Sequence, residues 1–254
     1  MKPGIIITGS ATGVGAATAK SLASKGWNVL INYTKSKNEA EETAHLCSQF
    51  GSDTILMKAD VSEDLNCRKM VQKAFEKWDR IDGLVNNAAQ TRFCPLSDLE
   101  GLKQQDFHDL YQVNLVSAFQ MTRAAAPYLK NQKGSVVNVS SIAGINGSGS
   151  SIAYACSKGA LITLTLSLAH ALAPDVRVNA ICPGFIQGRW TKNFLNDNYE
   201  KVNERFAKAS SLQTTATPED IADGIVHFIT GAKLSTGEIR TIDGGFSHFV
   251  TKLS

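Results

Sequence analysis

The sequence predicts an α/β protein in which one parallel sheet is covered by helices on both faces. Three observations lead there. Short, almost continuously apolar runs alternate with segments of helical period along the whole chain, as parallel strands do when helical crossovers bury both their faces. A glycine-rich turn, Thr8-Gly9-Ser10-Ala11-Thr12-Gly13-Val14-Gly15, follows the first apolar run at once and opens the first helix. The length of 254 residues, with 43% hydrophobic and 19% charged residues, suits one large soluble domain over residues 1–254 rather than two small ones.

Taken in order, Gly4-Ile5-Ile6-Ile7 starts a strand over 4–8, and the glycine turn leads into a helix over 14–25. A second strand covers 28–32, a helix 37–50, a third strand 54–58 and a helix 65–78. A short strand at 84–85 is followed by a long loop and a helix over about 106–129. The apolar run Val136, Val137, Val139 marks a strand over 135–139, and the glycines of 144–149 let the chain turn back into a helix over 152–173. A strand over 176–181, an irregular stretch, a helix over 219–229 and a last strand over 238–242 complete the alternation. Repeats, low-complexity segments and internal linkers are not seen.

The glycine turn implies phosphate binding. Glycines allow a tight turn and close backbone approach, so a pyrophosphate can rest on the free N–H groups of a helix start. The spacing is G-x-x-x-G-x-G, which departs from the G-x-G-x-x-G fingerprint, and the chain has no Gly-Lys dipeptide, which excludes a P-loop. If the ligand is a dinucleotide, the end of the second strand chooses between NAD and NADP. An acid there would bind a ribose 2′-hydroxyl. The stretch is Asn32-Tyr33-Thr34-Lys35-Ser36-Lys37, with no acid before Glu39. Hydroxyls and lysines suit a 2′-phosphate, so NADP(H) is the expected cofactor, with NAD(H) as the alternative.

The stretch from Ser141 to Lys158 carries the candidate chemistry. Tyr154 and Lys158 are four residues apart and share a helix face. An ammonium beside a phenol favours the phenolate, lowering a pKa that is ordinarily ~10. Ser141, at the end of a buried strand, supplies a hydroxyl to the same place. Tyr33 and Lys37 show the same spacing but lack a strand-end serine upstream.

Several classes are disfavoured. The net charge is +3, with Lys and Arg scattered, which gives no nucleic-acid footprint. Cys47, Cys67, Cys94, Cys156 and Cys182 form no C-x-x-C pair and the histidines no H-E-x-x-H, so no metal site is expected. Dispersed cysteines suit a reducing cytoplasm, and Cys156 reads as a small helix residue. No apolar run reaches membrane-spanning length and no export signal is seen at the start, so neither membrane nor export is expected. No G-x-S-x-G elbow supports a hydrolase.

Beyond these readings, the chain resembles the single-domain short-chain dehydrogenase/reductases over nearly its whole length. The resemblance is carried by Thr8–Gly15, Asp60-Val61, Asn86-Asn87-Ala88-Ala89, Asn114, Ser141, Tyr154, Lys158, Pro183-Gly184 and Asp243-Gly244-Gly245. It implies a Rossmann-type, doubly wound, seven-stranded parallel sheet with its active site at the carboxyl ends of the strands. It implies that Tyr154 is the acid in carbonyl reduction and the base in alcohol oxidation, and that Lys158 lowers its pKa and holds the nicotinamide ribose. Ser141 would orient the carbonyl, and Asn114 would hold a proton-relaying water. Cofactor contacts are implied at Gly9, Ser10, Thr12, Gly13, Val14, Tyr33, Thr34, Lys35, Asp60, Val61, Asn86, Asn87, Ala88, Ala89, Tyr154, Lys158, Pro183, Gly184 and Ile186. The chain departs from the pattern at Ala89, where a glycine is frequent, and at Gly188, where many relatives carry threonine; here Thr191 lies three residues later. Relatives that reduce 3-oxoacyl groups on acyl carrier protein commonly have a basic residue before strand six, whereas this chain has Pro174-Asp175. Sugar, polyol or other alcohol oxidation stays open beside 3-oxoacyl reduction, as does a dinucleotide-binding regulator without turnover.

Residues 185–217 read as irregular and hold Trp190, Phe194, Leu195, Tyr199 and Phe206, with Arg189 and Lys192 able to meet an anion. Either they form a lid over an apolar ligand or their aromatics pack on the domain. The helices at 106–129 and 152–173 are apolar on more than one face: Val113, Val116, Phe119 and Met121 in one, Leu161, Leu164, Leu168 and Leu172 in the other. Each needs cover on two sides, and the resemblance implies a homotetramer, with a dimer as fallback.

Overall fold

A computed structural model describes residues 1–247, apart from the side chains of Asn193 and Phe194. Seven parallel strands, β1 (Gly4–Ile7), β2 (Asn28–Tyr33), β3 (Thr54–Lys58), β4 (Gly83–Asn86), β5 (Ser135–Val139), β6 (Arg177–Pro183) and β7 (Ile239–Ile242), lie in the order β3-β2-β1-β4-β5-β6-β7. The strand order reverses between β1 and β4, which pair Ile7 with Val85. Sheets of this kind bind ligands in the crevice outside the carboxyl ends at that switch.

Side-chain alternation builds a core on each face. Ile6, Leu30, Leu84, Val136 and Val178 point into one layer, under α3 (Asp64–Trp78), α5 (Ser117–Asn131) and α7 (Ile152–Leu172). Ile5, Ile7, Val29, Ile31, Val85 and Val137 point into the other, under α1 (Gly13–Ser24), α2 (Lys37–Gln49) and α10 (Pro218–Thr230). Both layers are fully buried at most of these positions, which explains why the strands read as continuous apolar runs. The α10 start is written in Thr217-Pro218-Glu219-Asp220, where Thr217 and Asp220 form a reciprocal cap.

Four expectations are corrected. The helix expected over 106–129 is two helices, α4 (Gln104–Tyr111) and α5, joined by a π-helical turn at Gln112–Val116. The wider turn carries Asn114, whose side chain is committed elsewhere, as described below. The glycine link contains a short helix, α6 (Ala143–Asn146), ended by Gly147 at φ 73°. The stretch 185–217 is largely helical, with α8 (Arg189–Leu195), a 3₁₀ turn (Asn196–Asn198) and α9 (Tyr199–Ala209). Finally, α7 has 21 residues and a mean hydropathy of 1.4, enough by length and composition for a membrane span. Its Leu161, Leu168 and Leu172 are instead buried.

Candidate active site

The glycine turn is held rigid from two sides. From β4, the Thr8 hydroxyl accepts from the Asn87 and Ala88 N–H groups, each at 3.0 Å, while the Asn87 amide donates to the carbonyls of Thr8 and Gly9. From β2, the Asn32 side chain accepts from Gly9 N–H at 3.0 Å and donates to the Ala59 carbonyl at 2.9 Å. Its backbone N–H donates to the Ser10 hydroxyl, also at 3.0 Å. Glycine is required where backbones crowd: a Cβ on Gly9 would sit 2.9 Å from Ala88 Cα, and one on Gly15 2.6 Å from the Gly9 carbonyl. Above Gly13, at φ 57°, the space is open for 4 Å.

Thr12 is the N-cap of α1 yet, among the described residues, its side chain caps nothing, and the first turn holds no acid. The helix start therefore presents N–H donors and its positive end toward an open cradle. These features fit a pyrophosphate. Beside the cradle, Thr34 and Lys35 are exposed after β2, whereas the Tyr33 ring packs partly into the α1–α2 core. Asp60 accepts from the Ser62 N–H and hydroxyl, at 2.9 and 2.7 Å, and Val61 is buried. On the opposite wall, the Pro183 carbonyl accepts from Ile142 N–H, Gly184 N–H donates to Ile242, and Ile186 bridges to Ala216. Asn86 is buried and donates to Asn138 at 2.8 Å, and Ala89 is exposed.

The structure brings Ser141, Tyr154 and Lys158 together. Close packing of α6 on α7 makes this possible, because Gly144 lies against Gly159 and the Lys158 carbonyl, where a Cβ would be 2.6 Å from the Gly159 nitrogen. Ser151 caps α7 by accepting from Tyr154 N–H at 3.1 Å. The Ser140 hydroxyl donates to the Lys158 carbonyl at 2.8 Å, tying the strand end to the helix. Lys158 is buried; its Nζ donates to the Val139 carbonyl at 2.8 Å and stands 5.8 Å from the Tyr154 ring centre.

The electrostatics differ from the expectation that the ammonium lowers the phenol. Burial pushes Tyr154 up to about 12, against a smaller lowering by its hydrogen bond with Ser141. Burial also brings Lys158 down to about 8. Desolvation of two charges outweighs a lysine whose Nζ is engaged on a backbone carbonyl. Cys182, beside Ser140, Ser141 and Lys158, is likewise pushed up to about 11 by burial.

Asn114 sits in the π turn and is almost fully buried. Its carbonyl oxygen accepts from Gln90 N–H at 2.9 Å, and its amide donates to the Gln90 carbonyl at 3.0 Å and the Ser157 hydroxyl at 2.9 Å. Ser157 in turn donates to the Tyr154 carbonyl at 2.7 Å. The Asn114 side chain thus clamps the loop after β4 to the tyrosine helix. Sequence reading missed Asn32, Ser140 and Ser157 as positioning residues. Their only signal was a polar residue in an otherwise apolar run.

The 185–217 segment divides between its two readings. Trp190 reaches the Tyr154 ring, centroids 6.5 Å apart, as a lid would. Phe206 stacks on Phe185 at 5.0 Å and meets Phe246 at 5.1 Å, while Tyr199 lies 6.1 Å from Phe185, so α9 packs on the domain. The Phe194 side chain lies outside the described residues. The Thr191 hydroxyl donates to the carbonyls of Ile186 and Gly188 and so braces its own loop. Arg189 points away from Trp190, to Ser36 and Glu39. Arg177, which opens β6, spends its guanidinium on the Phe228 and Ala232 carbonyls behind α10.

Comparison with known proteins agrees with this architecture. The family model described as enoyl-(acyl carrier protein) reductase matches residues 9–247. A Streptomyces violaceoruber protein named "Granaticin polyketide synthase putative ketoacyl reductase 2" is 38% identical over 96% of this chain and 95% of its own. A 3-oxoacyl-[acyl-carrier-protein] reductase of Synechocystis is 32% identical over 96% of each chain. Among solved structures, a Burkholderia xenovorans protein described as "a putative short-chain dehydrogenase/reductase" superposes with a TM-score of 0.90 at 40% identity, covering 97% of this chain and 98% of that one.

Proposed function

The chain belongs to the short-chain dehydrogenase/reductase family and is an NAD(P)-dependent oxidoreductase; on that premise we propose that it reduces a carbonyl group, preferring NADPH, with Tyr154 as proton donor. The observation that carries this reading is the meeting of Ser141, Tyr154 and Lys158 beyond the carboxyl end of β5, at the same edge of the sheet as the glycine cradle that follows β1. The bound dihydronicotinamide supplies the hydride. The chain's own residues do the rest. The Ser141 hydroxyl and the Tyr154 phenol converge on one carbonyl oxygen. The phenol, held up to about 12, is fully protonated at neutral pH and is therefore loaded as an acid. As the proton leaves, the Lys158 ammonium stabilises the phenolate.

The substrate we propose is a 3-oxoacyl group. Ile145 and Trp190 are exposed apolar side chains, one on α6 just after Ser141, the other against the Tyr154 ring, which suits an apolar acyl body. The names of the Streptomyces and Synechocystis relatives support the same class. Because Arg177 is spent internally, an acyl carrier protein would have to dock elsewhere. The whole chain acts as one cofactor-binding domain in the cytoplasm, with α8 as its lid. It assembles as a homotetramer through α5 and α7, which expose Phe119 and Leu166 on their outer sides.

A panel of 3-oxoacyl thioesters, aldoses, polyols and simple ketones, followed by the absorbance of reduced nicotinamide, tests the reading. Oxoacyl thioesters are expected to turn over fastest, and Tyr154→Phe to abolish turnover while leaving NADPH binding within a few fold. Residual activity above about a tenth of wild type refutes Tyr154 as the donor. NADPH binding without turnover of any substrate returns the chain to the regulator reading.

A further inference from the structure

Arg189 opens α8, on the segment that covers the substrate side, yet its guanidinium engages the other end of the cleft. Nη1 donates to Glu39 Oε1, and Nη2 donates to the Ser36 hydroxyl at 3.0 Å. Ser36 and Glu39 are the N-cap and first turn of α2, directly after Thr34 and Lys35. That helix start is fixed beside the glycine turn, since the Thr43 hydroxyl donates to the Ala11 carbonyl at 3.1 Å and Asn32 holds Gly9. Arg189 is thus a bridge from the lid to the loop that faces the adenosine ribose in any dinucleotide seated on the cradle.

Glu39 makes this bridge consequential. It is the first acid after β2, and a carboxylate there accepts a bare ribose 2′-hydroxyl and repels a 2′-phosphate. Arg189 occupies it, and the carboxyl is held below its usual range first by a backbone N–H and then by the Arg189 guanidinium. The pair is half exposed, and such pairs are readily exchanged. A phosphate monoester brings a charge of ~−1.5 to −2 and three acceptor oxygens. The guanidinium fork matches that geometry better than a point charge does.

We infer that Arg189 is a specificity-determining residue that binds the cofactor's 2′-phosphate from the substrate lid and at the same time screens Glu39. This rests on the NADP preference proposed above. It makes lid closure respond to the 2′-phosphate, because the same short helix places Trp190 on the Tyr154 ring. The ligand group is a phosphate monoester on a ribose, and its other partners are the Ser36 and Thr34 hydroxyls and the Lys35 ammonium.

Calorimetric titration of the purified protein with NADPH and with NADH separates the outcomes. Wild type is expected to prefer NADPH by at least ~10-fold. Arg189→Ala is expected to bring that ratio to ~2-fold or below while NADH affinity stays within ~2-fold, and Arg189→Lys to keep an intermediate ratio. Adding Glu39→Gln to Arg189→Ala is expected to recover at least ~3-fold in NADPH affinity, since the unscreened carboxylate is gone. A wild-type preference that survives Arg189→Ala overturns the inference and leaves the NADP reading standing. Equal wild-type affinities overturn both. Equal weakening of NADPH and NADH in Arg189→Ala assigns the residue to lid closure alone and overturns its role in specificity.

Discussion

Replacing Asn114 by alanine removes three hydrogen bonds from a buried amide: one from Gln90 N–H, one to the Gln90 carbonyl and one to the Ser157 hydroxyl. The partners do not leave with it. Gln90 N–H and C=O are partly buried, and each unsatisfied buried group costs about 1–3 kcal/mol. Water entering the half-exposed Gln90 side offsets part of that, so a net loss of about 2–4 kcal/mol is expected. For a chain of this size each kcal/mol shifts the melting temperature by roughly 2–4 °C, giving a fall of about 4–16 °C. The clamp also holds the Tyr154 helix through Ser157, so kcat should fall by at least ~10-fold while NADPH binding changes less. Asn114→Asp keeps the acceptor for Gln90 N–H but loses both donors, and should fall between wild type and alanine. Thermal melts and carbonyl-reduction kinetics on the two variants decide the matter. A melting temperature within about 1 °C of wild type, with unchanged kcat, refutes the clamp.

Other outcomes follow from the same geometry. Lys158 has its pKa brought down from 10.5 to about 8, so the unfolded chain binds more protons than the folded one between those values and the lysine's contribution to stability rises with pH across that window. Urea unfolding at pH 7.5 and 10 should show wild type gaining on Lys158→Met by on the order of 2–3 kcal/mol; a constant gap would contradict the burial argument. Thr34→Asp should reverse the cofactor preference, and Lys35→Ala with Lys37→Ala should erode it; Lys37, drawn to Glu41 at 3.5 Å, should contribute less than Lys35. Equal NADPH affinity in all of these would mean that the loop's cations are only solvated. Phe119→Lys with Leu166→Lys should halve or quarter the mass seen by light scattering and lower activity. An unmutated protein that is monomeric near 27.3 kDa with full activity refutes the tetramer.

The frame of this protein was legible because its signals are local and periodic. Continuous apolar runs such as Ile5-Ile6-Ile7 occur where a strand is buried on both faces, and the structure fills both layers from those side chains. The glycine turn was legible for a similar reason. Its positions are dictated by backbone crowding at Gly9 and Gly15, which leaves no other residue possible. The Tyr154–Lys158 spacing is a property of one helix, so it survived translation into structure. What the spacing could not carry is the sign of the electrostatics. A phenol and an ammonium four residues apart attract in water, but here both are buried and Lys158 turns to the Val139 carbonyl, so desolvation wins.

The features that escaped the sequence are those in which a side chain spends itself on a distant backbone. Asn114 lies in the π turn that divides the expected long helix, with its amide held by Gln90 and Ser157 rather than by its own helix face. Arg177 keeps its charge but turns its guanidinium inward, where the Phe228 and Ala232 carbonyls take its donors. Arg189 and Glu39 are 150 residues apart and meet because the start of α8 lies against the start of α2. Read along the chain, Arg189 belongs with Trp190 and the substrate, and Glu39 with the surface of α2. Read in space, the two meet at the start of α2, directly after Thr34 and Lys35, where Arg189 also reaches the Ser36 hydroxyl. A side chain that the sequence placed among groups able to meet an anion near the substrate is thus held, in the structure, against the first turn of α2, which is why the test of its role is made on cofactor affinity.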